Sequence, residues 1–252
     1  MPAYDFRSPR LYVDAPLAAG AVVPLGRQQS HYLLNVLRLG AEDRVLAFNG
    51  RDGEWLARLA TAGKKGASLA LVEQTRAQTV PADLHYLFAP LKHARLDYMV
   101  QKAVEMGASR LQPVLTRHTQ VARLNLDRMR ANAIEAAEQC GILSLPEIVA
   151  PLALEQACAA LEPARLLVFC DEAAEGRDPT AALAAARSQT ESSRKLAVLI
   201  GPEGGFSPEE RDALLRHPRI VRLALGPRIL RADTAAVAAL AVVQAALGDW
   251  QS

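Results

Sequence analysis

Two glycine-punctuated segments hold the residues whose types and spacing suit chemistry. Gly201-Pro-Glu-Gly-Gly-Phe206 follows the apolar run Leu196 to Ile200. Gly226-Pro-Arg-Ile-Leu-Arg231 follows Ile220 to Leu225, with Asp233 and Thr234 just beyond. Glycine reaches backbone angles that other residues avoid and lets a ligand come close to the main chain. If both loops leave the same edge of a parallel sheet they frame a ligand crevice, because ligands in open α/β sheets sit at the carboxyl ends of strands. The first loop is not a P-loop: no Lys-Ser/Thr follows its glycines, and Glu203 would repel a phosphate. On spacing alone it fits a plain strand-to-helix turn equally well.

The elements that must position these loops are short. Apolar runs bounded by Gly and Pro read as buried parallel strands. Ser207 is a good N-cap, Pro208 suits the first helical position and Glu210 sits three after Ser207, a capping box that predicts a helix from Glu209 to Arg216. Pro227 stiffens the second turn. Asp233 or Thr234 can cap a helix that runs to Leu247, where Gly248 stops it. That helix is apolar almost all round, which places it deep in the domain or at a subunit interface. It is too short for a membrane span, and Asp233 and Gln244 interrupt it.

Upstream, Leu84 to Ala89, Leu111 to Leu115 and Arg165 to Cys170 read as strands. Lys92 to Gly107, Leu124 to Cys140, Leu152 to Leu161 and Ala181 to Ser188 read as helices. This alternation predicts a parallel α/β sheet. Leu96, Met99, Val100, Ala103 and Gly107 share one helix face. Lys92, His93 and Arg95 gather at the positive end of that helix, where cations are not favoured, so they serve either an anionic partner such as RNA phosphate or an ordinary solvated surface. Residues 1 to 75 read as mostly β, with strand-like runs at Ala21–Val23, Arg44–Phe48, Glu54–Arg58 and Ser68–Val72, separated by Asn49-Gly50, Asp52-Gly53 and Gly63-Lys-Lys-Gly66. A helix from Gln28 to Leu37 lies between them, and a small barrel with one helix is the expected result. Arg7, Arg10, Arg27, Arg38, Lys64 and Lys65 either meet phosphates or are plain surface charges. Thr75 to Asp83, with Pro81, reads as a linker.

Composition narrows the classes. The chain has 252 residues, room for one large or two small domains. Its net charge of +2 comes from 29 Lys+Arg against 27 Asp+Glu, so a nucleic-acid surface has to arise from local clustering. Cys140, Cys158 and Cys170 are widely spaced, with no paired motif for a metal. That usage suits a reduced cytoplasm, and Met1 to Arg7 has no apolar core of signal-peptide type.

Gly201-Pro-Glu-Gly-Gly-Phe-Ser207, together with Leu225-Gly-Pro-Arg-Ile-Leu-Arg231 and Thr234-Ala235, resembles the 16S ribosomal RNA uridine-N3 methyltransferase family of the SPOUT superfamily of knotted methyltransferases. The resemblance extends to Arg7-Ser-Pro-Arg10, His31 to Arg38, Lys92 to Gly107, Glu138-Gln-Cys-Gly141 and Pro146-Glu147. It implies an α/β chain with a PUA-like β-barrel for RNA over residues 1–75 and a SPOUT domain with a trefoil knot over 82–252. It implies S-adenosylmethionine as cofactor, held by Leu199, Gly201, Glu203, Gly204, Leu223, Leu225, Gly226, Ile229 and Leu230. It further implies RNA contacts at Arg7, Arg10, Arg38, Lys92 and Arg95, a homodimer, no metal, and ribosomal RNA or the small ribosomal subunit as partner in the cytoplasm.

The implied reaction is methylation of uracil N3, which must first lose its proton. A cation would stabilise the charge that develops on the base. Arg231 is the candidate for that task, unless it bonds loop carbonyls or Asp233 instead; Glu203, Asp233 or a water could take the proton. Two positions depart from the family pattern: Asp233 replaces the usual Glu, and Ile142 replaces an Arg. The rival readings are a methyltransferase of another RNA base, a non-catalytic RNA-binding or ribosome-assembly protein, and a nucleotide hydrolase, for which the required Lys-Ser/Thr and acidic metal pair are missing.

Overall fold

The computed structural model describes residues 7–41, 43–63, 66–121, 123–174, 176, 178–187 and 194–251. Lys64, Lys65 and Ser188 lie outside the described residues. The chain divides into two compact units, one comprising residues up to Val80 with Ala137–Leu145, the other Pro81–Ala136 with Pro146–Ser252.

The first unit is built on β1 (Arg10–Tyr12), β2 (Val22–Pro24), β3 (Arg44–Phe48), β4 (Glu54–Gly63) and β5 (Gly66–Arg76). They form one sheet in the order β1-β3-β4-β5-β2. β1 runs parallel to β3 and the other neighbours are antiparallel. Alternate residues of the strands, among them Leu11, Val45, Leu59 and Leu69, bury one face with Leu33. Leu33 lies on a helix that starts as α1 (Arg27–His31) and widens to a π-helical turn over Tyr32–Val36. β1 is the strand that the hydrophobic pattern does not announce, being three residues long.

Its first residue corrects an expectation. Arg10 is not an RNA cation but an internal one. Its Nε donates to Glu54 Oε2 at 2.8 Å, and its side chain is 8% exposed. Its Nη atoms donate to the carbonyls of Ala137, Glu138 and Ile142. The carbonyls of Ala137 and Glu138 lie in the last turn of the helix Leu126–Cys140, where intrahelical donors run out, and that of Ile142 lies just beyond it; Ala137 O also accepts from the Ile142 amide. Arg10 therefore caps that helix end with a positive charge, while its guanidinium also lies over the Phe48 ring at 4.4 Å. Glu54 takes a second guanidinium from Arg76 and a hydroxyl from Thr75. Burial works to raise the Glu54 pKa, but Arg76 and Arg10 outweigh it and hold the carboxyl below its ordinary value. Arg7 and Arg38 are exposed, and Arg38 sits at φ 56° just after the π turn.

The second unit is the expected parallel α/β sheet. Its strands are β6 (Leu84–Phe88), β7 (Arg110–Leu115), β8 (Glu147–Ile148), β9 (Leu152–Ala153), β10 (Leu166–Cys170), β11 (Leu196–Ile200) and β12 (Ile220–Leu223). They are ordered β12-β10-β11-β6-β7-β8, with β9 pairing onto β7. Every pair is parallel. The helices are α2 (His93–Glu105), α3 (Leu126–Cys140, whose last turn from Ala137 belongs to the first unit), α4 (Leu154–Ala159), α5 (Pro179–Ala186), α6 (Pro208–Leu215) and α7 (Ala232–Leu247). β11 is buried along its whole length, as a strand covered on both faces must be. α4 is shorter than its periodicity predicts because Leu152–Ala153 joins β7. α5 starts two residues early, where the Asp178 carboxylate accepts from the amides of Thr180 and Ala181. In α7, Gln244 is fully buried and structural: Nε2 donates to Met106 O and Oε1 accepts from the Asp249 amide.

Both units generate a stability prediction. Replacing Arg10 by Met leaves Glu54 with Arg76 and Thr75 alone and takes a donor from three carbonyls, and breaking a buried ion pair from one side costs about 3 kcal/mol. Urea unfolding of Arg10→Met should show that loss, and a change below about 1 kcal/mol would contradict the capping role. In the second unit His85 Nε2 lies 3.4 Å from Asp83 Oδ1, a carboxylate that Arg165 also holds. Burial, then Arg165, pushes the imidazole pKa down from 6.5 to about 4, with Asp83 opposing. The unfolded chain thus binds the proton first, and stability present above pH 6.5 is lost as pH falls towards 4. The loss attributable to His85 approaches about 3 kcal/mol. Unfolding measured from pH 7 to 4.5 should fall less steeply in His85→Gln than in the unaltered protein.

Candidate active site

Three loops at the carboxyl ends of β10, β11 and β12, with the start of α7, enclose a cleft of about 440 Å³. Each loop is placed by its strand and by a specific contact. The first glycine loop leaves β11 at Gly201, where a Cβ would come within 2.5 Å of the Phe206 ring. That ring packs edge-on against Phe169 of β10, with centroids 5.2 Å apart. The loop then enters α6 through the capping box foreseen in the sequence: Glu210 N donates to Ser207 Oγ, and Ser207 N to Glu210 Oε2. The other oxygen of Glu210 accepts from Arg117 N. His118 Nδ1 donates to the Gly204 carbonyl at 2.9 Å, which fixes that nitrogen as the protonated one. The segment after β7 thereby braces the back of the loop.

The second glycine loop turns at Gly226, φ 89°, where a Cβ would meet nothing within 4 Å. It then presents Ile229, 94% exposed, and Leu230 before α7 begins. The N-cap of α7 is Arg231, without a side-chain cap bond. Neither Asp233 nor Thr234 caps the helix. Asp233 lies within its first turn, where a carboxylate complements the positive end.

Arg95, in the first turn of α2, joins the first glycine loop to the start of α7. Its Nε and Nη2 donate to the two oxygens of Asp233 at 3.0 and 3.1 Å, and its Nη1 donates to Glu203 Oε1 at 2.6 Å. Its guanidinium is thus engaged by two carboxylates rather than presented as a bare cation for phosphate, although the side chain remains 35% exposed. The Arg95 side-chain bond is the largest influence on Asp233 and holds its pKa below the ordinary carboxylate value; burial opposes it. Arg231, by contrast, is exposed, and its side chain has no hydrogen-bond or ionic partner among the described residues. With Asp233 committed to Arg95, it is not drawn back onto that carboxylate.

The third wall was not singled out by sequence. Phe169 to Ala174 line the cleft together with Arg211. Asp171, 5% exposed, binds Arg211 of α6 and Arg222 of β12, each with a 2.9 Å contact, and the Ala173 amide. Burial works to raise its pKa, but Arg211, the Ala173 amide and Arg222 more than offset that and leave it lowered. The only signal in the sequence was an Asp-Glu pair at the end of an apolar run; its two arginines lie 40 and 51 residues further on.

Of the cofactor positions implied by resemblance, Gly201, Glu203, Leu223, Leu225, Gly226, Ile229 and Leu230 line the cleft. Two do not. Leu199 is fully buried in the core with Leu87, Phe169 and Leu214, leaving no surface for a ligand. Gly204 turns towards His118, whose Cβ would be 3.2 Å from a Cβ there. Lys92, the N-cap residue of α2, is exposed. Among the described residues no group of His, Cys, Asp and Glu could hold a metal ion. No helix among them is long and apolar enough to cross a membrane.

Residues 78–244 match the model of an RNA methyltransferase domain, and residues 25–72 that of an RNA methyltransferase PUA domain. Ribosomal RNA small subunit methyltransferase E of Synechocystis is 31% identical, over 94% of this chain and 78% of its own length. The protein of the same name from Rickettsia conorii is 29% identical over 93% and 94%. A methyltransferase from Legionella pneumophila, solved with bound SAM, superposes with a TM-score of 0.81 at 27% identity, covering 95% of this chain and 98% of the other. Ribosomal RNA small subunit methyltransferase E from Neisseria gonorrhoeae, bound to S-adenosyl methionine, gives 0.80 at 26% identity, with coverage of 95% and 98%. With its glycine-loop cleft set on a parallel sheet, this chain belongs to the RNA methyltransferase family that includes ribosomal RNA small subunit methyltransferase E.

Proposed function

We propose that this protein transfers a methyl group from S-adenosylmethionine to N3 of a uridine in small-subunit (16S) ribosomal RNA. The observation that carries the reading is the cleft itself. Its volume lies in the range of small-molecule sites, and a side chain at Gly226 would project into open space beside it. The same fold holds the cofactor in two relatives. Leu225, Ile229 and Leu230 offer apolar contact to a flat adenine, while Gly201 and Gly226 let main-chain groups reach its edge. Leu199 and Gly204 act from behind, as core and brace. When bound, the cofactor's sulfonium supplies an electrophilic methyl carbon that needs no Lewis acid.

The chain's own residues have two tasks. One is to hold the uracil in line with that carbon, which requires the base to leave its stack. The other is to stabilise the charge on the base once N3 is deprotonated. Arg231, a guanidinium without an internal partner at the exit of the second loop, serves that purpose. Asp233 is a poor proton acceptor, since both its oxygens are held by Arg95. Glu203 gives one oxygen to Arg95 and keeps the other for the N3 proton, directly or through a water.

The finer architecture belongs to the same proposal. Residues 1–75 form a PUA-like barrel that binds RNA, and residues 82–252 a SPOUT domain with a trefoil knot. The resemblance supports the knot. The protein acts in the cytoplasm as a homodimer on the small ribosomal subunit, with α7 at the dimer interface. Arg7, Arg38 and Lys92 meet the RNA.

Small ribosomal subunits lacking the native modification, incubated with labelled S-adenosylmethionine, should yield N3-methyluridine on nucleoside analysis. Arg231→Ala should lower kcat by about 100-fold. Cofactor binding without transfer would move the substrate elsewhere, and neither binding nor transfer would make this an RNA-binding protein without activity. Removing Arg95 leaves the Glu203 and Asp233 carboxylates facing each other without a cation. Calorimetry should show the S-adenosylmethionine Kd rising roughly tenfold in Arg95→Ala. Arg95→Lys should recover only part of the loss, since an ammonium cannot grip Asp233 bidentately. An unchanged Kd in Arg95→Ala would show that the bridge does not shape the cleft.

A further inference from the structure

A second, smaller cavity opens on the other side of the α2 N-terminus. It measures about 210 Å³ and lies between the start of α2 and the segment that leads into α3. Its floor is apolar and fixed: Leu91, Leu96 and Met129 are buried. Asp97 on its wall is fully committed. Arg128 donates to it through Nε and Nη2 at 2.9 and 2.5 Å, and Asn132 donates at 2.8 Å. The cations at its rim are not committed. Lys92 and Arg123 are exposed and have no side-chain partner among the described residues. With Arg128 and Asp97 cancelling each other, the cavity carries two unneutralised positive charges over an apolar seat.

We infer that this cavity is a second nucleotide subsite, which seats a base of the substrate RNA close to the methylated uridine and holds its phosphate with Lys92 and Arg123. The inference rests on the reading of the chain as an RNA methyltransferase and extends it to a place where the RNA is gripped. Three features favour a nucleotide. The cavity has about half the volume of the cofactor cleft, too little for a second cofactor but suited to one ring. A nucleotide combines a flat apolar face with an anion, matching an apolar floor with a cationic rim. The cavity is also adjacent to the reaction site: Arg95 is on the cleft side of the same helix turn whose Lys92, Leu96 and Asp97 face the cavity. A helix is about 10 Å across, so one strand of RNA can occupy both places.

The test compares the unaltered protein with Lys92→Ala/Arg123→Ala and with Leu124→Trp, which fills the cavity without changing its charge. Binding of a fluorescein-labelled, mixed-sequence single-stranded RNA is followed by anisotropy across a salt series, and methyl transfer to ribosomal subunits is measured in parallel. The double variant should raise the RNA Kd and the KM for the subunit at least tenfold. Its log–log salt slope should become shallower by about 1.4, the value for two lost contacts to a single strand. Leu124→Trp should weaken RNA binding with the salt slope kept. The S-adenosylmethionine Kd, which the cavity does not touch, should stay the same in both. RNA binding and KM unchanged in the double variant would overturn the assignment and leave the cavity to another anion such as an acidic peptide. If the unaltered protein binds RNA but methylates nothing, the proposed reaction fails while the cavity still stands or falls by the variants' RNA affinities. If it binds no RNA at all, both readings fail.

Discussion

One guanidinium holds the reaction site in shape. Arg95 grips Asp233 at the start of α7 and Glu203 in the first glycine loop, residues 138 and 108 positions away along the chain. Without a cation there, the carboxylates of the first glycine loop and of α7 would repel each other across the cleft's edge. The bidentate fork also sets direction, which a point charge would not. The glycines give the loops their freedom; Arg95 and the brace from His118 take most of it away again. The cleft is thereby preorganised for a ligand whose apolar part needs fixed walls.

The same device recurs. Glu54 sits between Arg10 and Arg76 in the first unit, and Asp171 between Arg211 and Arg222 in the second. Arg165 takes Asp83 and Glu162 together. Each hub removes charge from the surface and satisfies it internally, as partly buried ions require. This changes the meaning of the near-neutral composition. Among the described residues, the cations whose side chains have no partner include Arg228 on the cleft wall, Arg231 three residues on, and Lys92 and Arg123 at the neighbouring cavity. A weakly charged chain can present a directed positive surface when most of its arginines are spent elsewhere.

Arg10 shows how that distinction escapes a linear reading. In the sequence it stands beside Arg7, and both look like surface cations. In the fold, β1 pairs with β3 and carries Arg10 onto carbonyls at and just beyond the last turn of α3. Position 142, where the family pattern has an arginine and this chain has Ile142, provides one of those carbonyls, so here the backbone and not the side chain makes the contact.

The sequence by itself determined five of the seven strands of the parallel sheet, all but the short β8 and β9, together with the capping box at Ser207 and the two glycine loops. These follow from short-range patterns: apolar runs, turn residues and cap spacing are all read within a few positions. It also carried the family resemblance, which is a matter of motif. Only the tertiary structure decided the partners of the charged residues. It put Arg10 inside and left Arg231 free. It took Asp233 out of the cap and gave it to Arg95, turned Leu199 into core and Gly204 towards His118, and supplied the Asp171 wall of the cleft. The physical reason is common to all of these. An ion pair is chosen by distance in space, and the partners here come from elements tens to more than a hundred residues apart, so no local pattern marks which charge meets which.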